Sequence, residues 1–401
     1  MAILKHLPEY LPKLVEESPE KIFEMIGLVE QIGIDRTVLY EFAVRDIDTD
    51  TLQQTIAGFG LNADGRYVSV AYDKRSPVVL ADGKHLSNLI VRDKSFGQLT
   101  VSFEQNNLNG RSYINAKLEL MVSEDGNNIQ NLTADQYKMR VADVIQLLRV
   151  GYGIDVDDST ISIKKIELNA TFFLEEPYAE YQRAILLLIR NVPAKRYGGN
   201  GNNNAVKFAT WYEATKETTN LETILVKNSS VELKIYNKGK HLKDLGLIGM
   251  TDRDIMRVEY TIKDNRILKN AFGDAFVDSL DDAKIKALFK KYFNRDVVEP
   301  YNQWSARNHE ELIELVRKHR AENNKWTSFF FREVRQLEAV RGLPVLFDLE
   351  DLRKVFRQLE SKRGRNAGKK FRDLKKQAIY ETDLYGHTNR VHEILKKIMD
   401  M

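Results

Sequence analysis

In the stretch "VELKIYNK", residues 231–238, apolar and polar side chains alternate, and the prediction of the fold starts from this pattern. Val231, Leu233 and Ile235 occupy one phase, whereas Tyr236 occupies the other, among charged neighbours. Because successive side chains of a β-strand point to opposite faces, the pattern predicts a half-buried strand with Tyr236 on its polar face. Two interpretations of Tyr236 remain open at this point, an ordinary strand tyrosine and a nucleophile.

Three other stretches repeat the alternation, and each carries a glutamate on its polar phase. These are "INAKLELMV" with Glu119, "IKKIELNATF" with Glu167, and "IMRVEYTIKD" with Glu259. Two amphipathic segments, 133–153 and 177–192, interrupt the strands and are predicted to cover one face of the sheet. The sequence therefore predicts an α+β fold, a mainly antiparallel sheet with helices on one face and a groove lined by carboxylates, lysines and Tyr236 on the other.

Changes of pattern along the chain divide it into three regions. Residues 1–34 read as an N-terminal helical extension that ends at Gly33, and residues 35–273 form the α+β domain. Residues 274–401 are almost wholly helical in pattern, which predicts a C-terminal helical domain that binds DNA or a protein partner. Within this region, a turn around residues 342–344 fits either a structural αα-hairpin or a helix-turn-helix motif.

Composition limits the chemistry and the location of the protein. The 401 residues include no cysteine, which excludes disulfides, thiolate metal sites and a cysteine nucleophile. The formal net charge is only +3, so a polyanionic partner would have to meet local basic patches. No apolar run is long enough to cross a bilayer, and charges interrupt the N-terminal segment. We therefore expect a cytoplasmic protein with no membrane partner.

The polar face suits phosphodiester chemistry. Carboxylate oxygens select a hard divalent cation, which predicts Mg²⁺ or Mn²⁺ as the cofactor, and such a cation stabilises charge that develops on a phosphate. A tyrosine can attack phosphorus and form a covalent intermediate, and Lys238, two residues beyond Tyr236, could neutralise the phosphate or the tyrosinate. The candidate DNA contacts are Arg257 and Lys263 near this face, together with Lys362, Arg363, Arg365, Lys369 and Lys370 in a basic run that reads equally well as a solvated linker.

Residues 101–273 resemble the gene II/X family of filamentous-phage rolling-circle replication initiators. The resemblance rests on "AKLELMVS", "STISIKKIELNATF", "FATWYEA", "LKIYNKGKHL" and "MRVEYTIKDNRILKNAFG", in the family's order. It implies a nicking tyrosine at Tyr236 in a Tyr-x-Lys context with Lys238, followed by an Arg-x-Glu strand at Arg257 and Glu259. It also implies that Glu119 replaces a metal-binding histidine. The chain lacks the His-x-His pair found in many rolling-circle nickases.

The resemblance implies a site-specific single-strand DNA endonuclease and ligase that starts rolling-circle replication in a bacterial host of a phage or plasmid. Tyr236 would become joined to the 5′ end, Glu119, Glu167 and Glu259 would hold the metal, and a host helicase and polymerase would be partners. Three alternatives stay open. They are a mobilisation relaxase with the same chemistry, a non-catalytic origin-binding protein, and a metal nuclease that uses water with Tyr236 as a bystander.

Overall fold

The computed structural model describes the central sheet and most of the helices that pack against it. The described residues are 30–58, 67–93, 97–108, 111–121, 131–157, 161–190, 223–244, 254–322, 332–333, 336, 372 and 384–401. Outside these residues lie the predicted strand at 207–214, the loop at 197–204, the turn at 342–344 and, except for Arg372, the basic run at 362–376.

Eleven strands in the described part of the chain form a single sheet. They are β1 (Gln31–Ile47), β2 (Tyr67–Tyr72), β3 (Val78–Val79), β4 (His85–Asp93), β5 (Gly97–Leu108), β6 (Arg111–Met121), β7 (Ile154–Val156), β8 (Ser162–Phe173), β9 (Thr223–Lys227), β10 (Val231–Asn237) and β11 (Ile255–Ile262). The order across the sheet is β2-β4-β5-β6-β1-β8-β11-β10-β9, with β3 paired to β4 and β7 paired to β1. Every pair is antiparallel.

Eight α-helices accompany the sheet in the described residues. They are α1 (Thr49–Gly58), α2 (Ala134–Tyr152), α3 (Tyr178–Arg190), α4 (Lys238–Asp244), α5 (Asn265–Phe272), α6 (Asp282–Phe293), α7 (Glu299–Glu322) and α8 (Leu384–Asp400). A short 3₁₀ turn (Val277–Ser279) precedes α6, and one π-helical turn (Asn294–Val298) joins α6 to α7.

Helix α2 shows how local sequence sets these elements. Thr133 and Gln136 form a reciprocal capping box at its start, which satisfies backbone N–H groups that have no partner within the helix. Gly153 ends the helix in the left-handed region, at a φ of 65°, where a residue without a Cβ is favoured. Both ends of this helix lie where the sequence predicts them.

The larger helices pack on the apolar face of the sheet. Tyr260 of β11 makes an edge contact with Phe289 of α6, with ring centroids 5.3 Å apart. On β1, the hydroxyl of Thr37 is hydrogen-bonded to the hydroxyl of Tyr137 in α2. The predicted α+β fold, a mainly antiparallel sheet with helices on one face, is confirmed.

The boundary predicted at residue 34 is displaced, because β1 begins at Gln31. Gly33 was interpreted as a helix stop, but it lies inside this strand. A Cβ at Gly33 would sit 2.8 Å from the carbonyl oxygen of Leu132, so the close passage of residues 131–132 requires glycine here. Residues 1–29 of the predicted helical extension lie outside the described residues.

The C-terminal helices share their core with the sheet. Phe289, Phe293 and Ile394 belong to the same buried cluster as Leu168 of β8 and Val258 of β11. Helix α8 lies against α3, where Tyr181 donates a hydrogen bond to Glu393 and Arg390 lies 3.0 Å from Glu180. The boundary predicted at residue 273 thus marks a change in the type of element, while the described parts of both regions form one core.

Sequence patterns missed four strands, β3, β4, β7 and β9. Strand β4 lies between β2 and β5 and is paired with β3, β7 is paired with β1, and β9 forms one edge of the sheet. Among the helices of the described segments, none is both long enough and apolar enough to cross a membrane.

Candidate functional site

The candidate site lies on the polar face of four adjacent strands, β1, β8, β11 and β10. Strand register aligns Tyr236 of β10 with Arg257 of β11, and Arg257 with Thr171 of β8. In an antiparallel pair, residues directly opposite each other point to the same face with their Cβ atoms about 5 Å apart. Tyr236 and Arg257 are therefore direct neighbours on the face opposite the large helices.

A second row runs across the same strands one pleat away. Lys234 lies opposite Glu259, and Glu259 lies opposite Asn169. The Lys234 ammonium is 3.1 Å from Oε1 of Glu259. Glu167 belongs to a third row, opposite Thr261 of β11, and its carboxylate is paired with Lys165 on its own strand.

A β-bulge in β1 adds a carboxylate to this face. Ile34 pairs with Leu168 and Arg36 pairs with Glu167, so Asp35 is an extra residue between two consecutive residues of β8. A bulge of this kind redirects side chains. As a result, the consecutive residues Asp35 and Arg36 both interact with groups of the polar face, namely Arg257 and Glu119.

Arg257 connects the members of the cluster. Its Nε donates to the hydroxyl of Thr171 at 2.8 Å, and its Nη1 donates to Oδ2 of Asp35 at 3.2 Å. Tyr236 lies directly opposite it on β10, where the charge of Arg257 opposes the rise that burial causes in the pKa of the phenol. The guanidinium is completely buried, and its planar set of donors lets one side chain hold these three groups in a fixed arrangement.

Lys238 joins the cluster from the end of β10. The side chain of Asn237 accepts a hydrogen bond from the backbone N–H of Lys240 at 2.8 Å, which caps the short helix α4 and ends the strand. Lys238, the first residue of that helix, is buried, and its charge acts on Asp35. Tyr236 and Lys238 are thus brought to one place, although Lys238 follows a strand end and does not continue the alternation.

The middle of the polar face is buried at β8 and β11, while the polar residues of β10 stay partly exposed. All eight residues of β11 are buried, on both phases of the strand. The buried polar residues of the cluster are Asp35, Glu167, Asn169, Thr171, Lys238, Arg257, Glu259 and Thr261. Charged groups removed from water need partners, and the pairs described above supply them.

Burial changes the acidity of two groups in the cluster. It raises the pKa of Asp35 to about 7. The cations Arg257 and Lys238 act to lower this pKa, whereas the carboxylates Glu259 and Glu167 act to raise it. Tyr236 keeps part of its side chain exposed. Desolvation nevertheless raises the pKa of its phenol well above the ordinary value, and Arg257 acts in the opposite direction. Tyr236 is therefore a protonated phenol at neutral pH.

The three glutamates predicted as metal ligands do not share one site. Glu119 of β6 is paired with Arg36. With β1 between β6 and β8, strand spacing puts the Glu119 backbone about 10 Å from β8 and about 14 Å from β11. Glu167 and Glu259 are each paired with a lysine. Within the described residues no group of three or more His, Asp or Glu side chains is arranged to hold a metal ion. As arranged here, the predicted ligand set does not fit a single Mg²⁺ or Mn²⁺.

The residues predicted to contact DNA do not lie together in one place. Arg257 lies in the buried cluster, where it acts on Tyr236. Lys263 lies at the rim of the face, with its ammonium 2.7 Å from Glu232. Lys362, Arg363, Arg365, Lys369 and Lys370 lie outside the described residues, and their role in DNA binding stays a prediction.

Comparison with protein-family models gives no match to this chain, and comparison with curated proteins gives none either. The resemblance to the gene II/X family therefore rests on the motifs quoted above.

Sequence patterns missed two members of the site. Asp35 was placed at a domain boundary because strict alternation cannot anticipate a bulge. Thr171 was assigned to the polar phase of β8 without a role, yet its hydroxyl orients Arg257. A signal for Asp35 does exist, since a carboxylate within the apolar run "IGIDRTVLY" needs a buried cationic partner.

Proposed function

We propose that the protein is a rolling-circle replication initiator that nicks one DNA strand through Tyr236 and later rejoins it. The observation that carries this proposal is that the buried Arg257 lies directly opposite Tyr236 in the β10–β11 ladder, on the sheet face opposite the large helices, within a cluster of carboxylates. A buried cation beside a tyrosine hydroxyl favours the phenolate as it forms, and a nucleophilic tyrosine requires such help.

In the proposed reaction, the Tyr236 oxygen attacks phosphorus of a phosphodiester while the bond from phosphorus to the 3′ oxygen breaks. The products are a 5′-phosphotyrosine and a free 3′ hydroxyl. The phenol proton passes to a carboxylate of the cluster, and the leaving 3′ oxygen takes up a proton from that group. Asp35 suits this role because its Oδ1 has no hydrogen-bond partner. Arg257 and Lys238 supply positive charge to the developing phenolate and phosphate.

Rejoining is the reverse reaction, in which a 3′ hydroxyl attacks the phosphotyrosine. The free 3′ hydroxyl would prime a host polymerase, and a host helicase would unwind the duplex, which places the reaction in the bacterial cytoplasm. Because Tyr236 keeps part of its side chain exposed while β8 and β11 are buried, DNA would approach the cluster from the β10 side. The predicted Mg²⁺ or Mn²⁺ cofactor stays a prediction, and none of these steps uses it.

A covalent-adduct assay tests the proposal. Single-stranded oligonucleotides that tile both strands of the DNA flanking the gene are labelled at the 3′ end and incubated with the protein in Mg²⁺, Mn²⁺ or EDTA. After denaturation, the expected product is labelled protein, which Tyr236→Phe abolishes. Tyr72→Phe, at an exposed tyrosine of β2, is the matched control and keeps the adduct.

Other outcomes identify the alternatives. Cleavage without an adduct would indicate a nuclease that uses water. Specific binding without cleavage would indicate an origin-binding protein. An adduct that persists in Tyr236→Phe would assign the nucleophile to another residue.

A further inference from the structure

Tyr67 of the edge strand β2 is an exposed aromatic side chain with a cation over its ring. It is 55% exposed, and the guanidinium carbon of Arg92 on the neighbouring strand β4 lies 5.7 Å from the ring centroid. Arg92 is exposed as well. The two residues therefore present a flat aromatic surface and a delocalised positive charge side by side to the solvent.

Strand register places Tyr67 on the same face of the sheet as Tyr236. Tyr67 is directly opposite Arg92, and their row continues through β5 and β6 to Arg36 of β1 and Glu167 of β8. Residues directly opposite each other point to the same face. The row thus joins the third row of the candidate site, and β2 lies seven strand spacings from β10, about 34 Å along the sheet.

The outer half of this face, on β2, β4 and β5, is open, in contrast to the buried middle at β8 and β11. Its partly exposed side chains are mostly small and polar, namely Ser69, Asn88, Ile90, Thr100 and Ser102. The carboxylate of Glu119 is paired with Arg36, and the exposed Glu104 lies six residues along β5 from the row of Tyr67, about 20 Å away. Positive charge therefore prevails at the Tyr67 end.

We propose that the open half of the polar face binds single-stranded DNA, with a base stacked on Tyr67 and a phosphate held by Arg92. Surfaces that bind single strands combine aromatic side chains, which stack on bases, with cations that contact the backbone, and this edge of the sheet supplies both. The Ser, Thr and Asn side chains around the pair lack the apolar centre of a protein interface, which favours nucleic acid as the ligand.

The place of this surface in nicking rests on the proposed function. At about 34 Å from the strand of Tyr236, it would contact DNA that flanks the nick and not the phosphate that Tyr236 attacks. The binding experiment below needs no nicking, so it can fail or succeed independently of the adduct assay.

Tyr72, on the same strand, provides a matched comparison. It is 46% exposed, and the Lys84 ammonium lies 5.7 Å from its ring centroid. Because Tyr72 lies five residues beyond Tyr67, it points to the other face of the sheet, where it is opposite the buried Leu86. The two tyrosines have similar exposure and similar cations, but only Tyr67 lies on the face proposed to bind DNA.

The test measures the affinity of the full chain for a fluorescein-labelled oligothymidylate of about 20 nucleotides, by fluorescence anisotropy. Tyr67→Ala should weaken binding about fivefold or more, because it removes the stacking of one base. Tyr67→Phe, which keeps the ring, and Tyr72→Ala should bind within about twofold of the wild type. Arg92→Gln should reduce the slope of log affinity against log salt by about 0.7, the value for one phosphate contact on a single strand, whereas Lys84→Gln should not.

A second measurement keeps an aromatic ring on the strand and so does not depend on the folding of Tyr67→Ala. In Tyr67→Trp, the indole fluorescence that exceeds the wild-type signal should fall as the unlabelled oligothymidylate is added, because a base stacks on the indole. In Tyr72→Trp, on the opposite face, it should stay unchanged.

Any of three results would overturn the inference. They are a wild-type protein that does not bind the oligonucleotide, equal effects of the substitutions at Tyr67 and Tyr72, and an equal loss in Tyr67→Ala when the oligonucleotide is paired with oligodeoxyadenylate, since a duplex keeps its bases stacked on one another. Adduct formation with unchanged binding in Tyr67→Ala would overturn this inference and leave the proposed function standing. Binding that depends on Tyr67 without any adduct would support this inference and contradict the nicking reaction.

Discussion

The guanidinium of Arg257 and the carboxylate of Asp35 form a buried ion pair at 3.2 Å between residues 222 positions apart in the chain. The pair joins β1 to β11 across the intervening strand β8 and holds Arg257 against Tyr236. A buried pair is weak evidence of net stability, but removing one partner leaves the other charged and unpaired. The first predictions follow from this asymmetry.

Replacing Asp35 by Ala should lower the free energy of unfolding by about 3–5 kcal/mol, because it leaves the buried Arg257 without the acceptor that Asp35 supplies in either protonation state. Denaturant unfolding measures the change. The double variant Asp35→Ala/Arg257→Met should be less destabilised than the sum of the single variants, because no buried polar group is then left without its partner. Additive effects would contradict a direct interaction.

Asp35 should also make stability depend on pH. Its pKa, raised by burial to about 7, means that the folded state holds this proton more tightly than the unfolded chain does. Its contribution to stability is therefore fully present below about pH 4 and is lost as the pH rises to about 7. The difference in unfolding free energy between wild type and Asp35→Asn, measured from pH 4 to 8, should fall with rising pH. A difference that rises through this range would mean that the pKa is lowered.

Arg257→Met should slow formation of the covalent adduct by about 100-fold or more, since removing one preorganised group that stabilises developing charge has effects of this size. The rate is measured with the oligonucleotide that gives the adduct. Arg257→Lys should restore only part of it, because an ammonium cannot hold Thr171, Asp35 and Tyr236 in the same fixed arrangement. An equal rate in Arg257→Lys and wild type would show that charge alone matters.

Replacing Glu119 and replacing Glu259 should change the rate of adduct formation to different extents. Glu119→Gln should leave the rate of adduct formation within about twofold of wild type, because Glu119 is held by Arg36 at the distance of three strands from β11. Glu259→Gln should lower the rate by about tenfold or more, because Glu259 is buried beside Lys234 and Arg257. An equal loss of rate in both variants would indicate that Glu119 belongs to the site.

Helix α8 should unfold together with the sheet. Ile394 is fully buried, and Ile394→Ala should cost about 2–5 kcal/mol in a single cooperative transition. Met399 on the same helix is 39% exposed, so Met399→Ala is the matched control and should change stability by about 0.5 kcal/mol or less. A separate early transition in Ile394→Ala would indicate that α8 belongs to an independent domain.

Much of the sheet and part of the site could be predicted from local pattern. Period-two alternation assigned Tyr236, Glu167 and Glu259 to polar phases, and the strand register places all three on one face. The capping box at Thr133 and the stop at Gly153 are equally local, because they depend on residues within a turn of the helix end. By contrast, β7 is a three-residue strand whose pairing depends on β1, far earlier in the chain.

The sequence by itself determined which side chains share a strand face, because alternation is a property of the extended backbone. Only the tertiary structure decided which of these side chains meet, because strand order and register are set by packing between distant segments. That order separates Glu119 from Glu259, while a bulge that has no local signature brings in Asp35. Burial, also a tertiary property, enclosed the middle of the polar face and left Tyr236 as a partly exposed phenol opposite Arg257, with Lys234 beside Glu259.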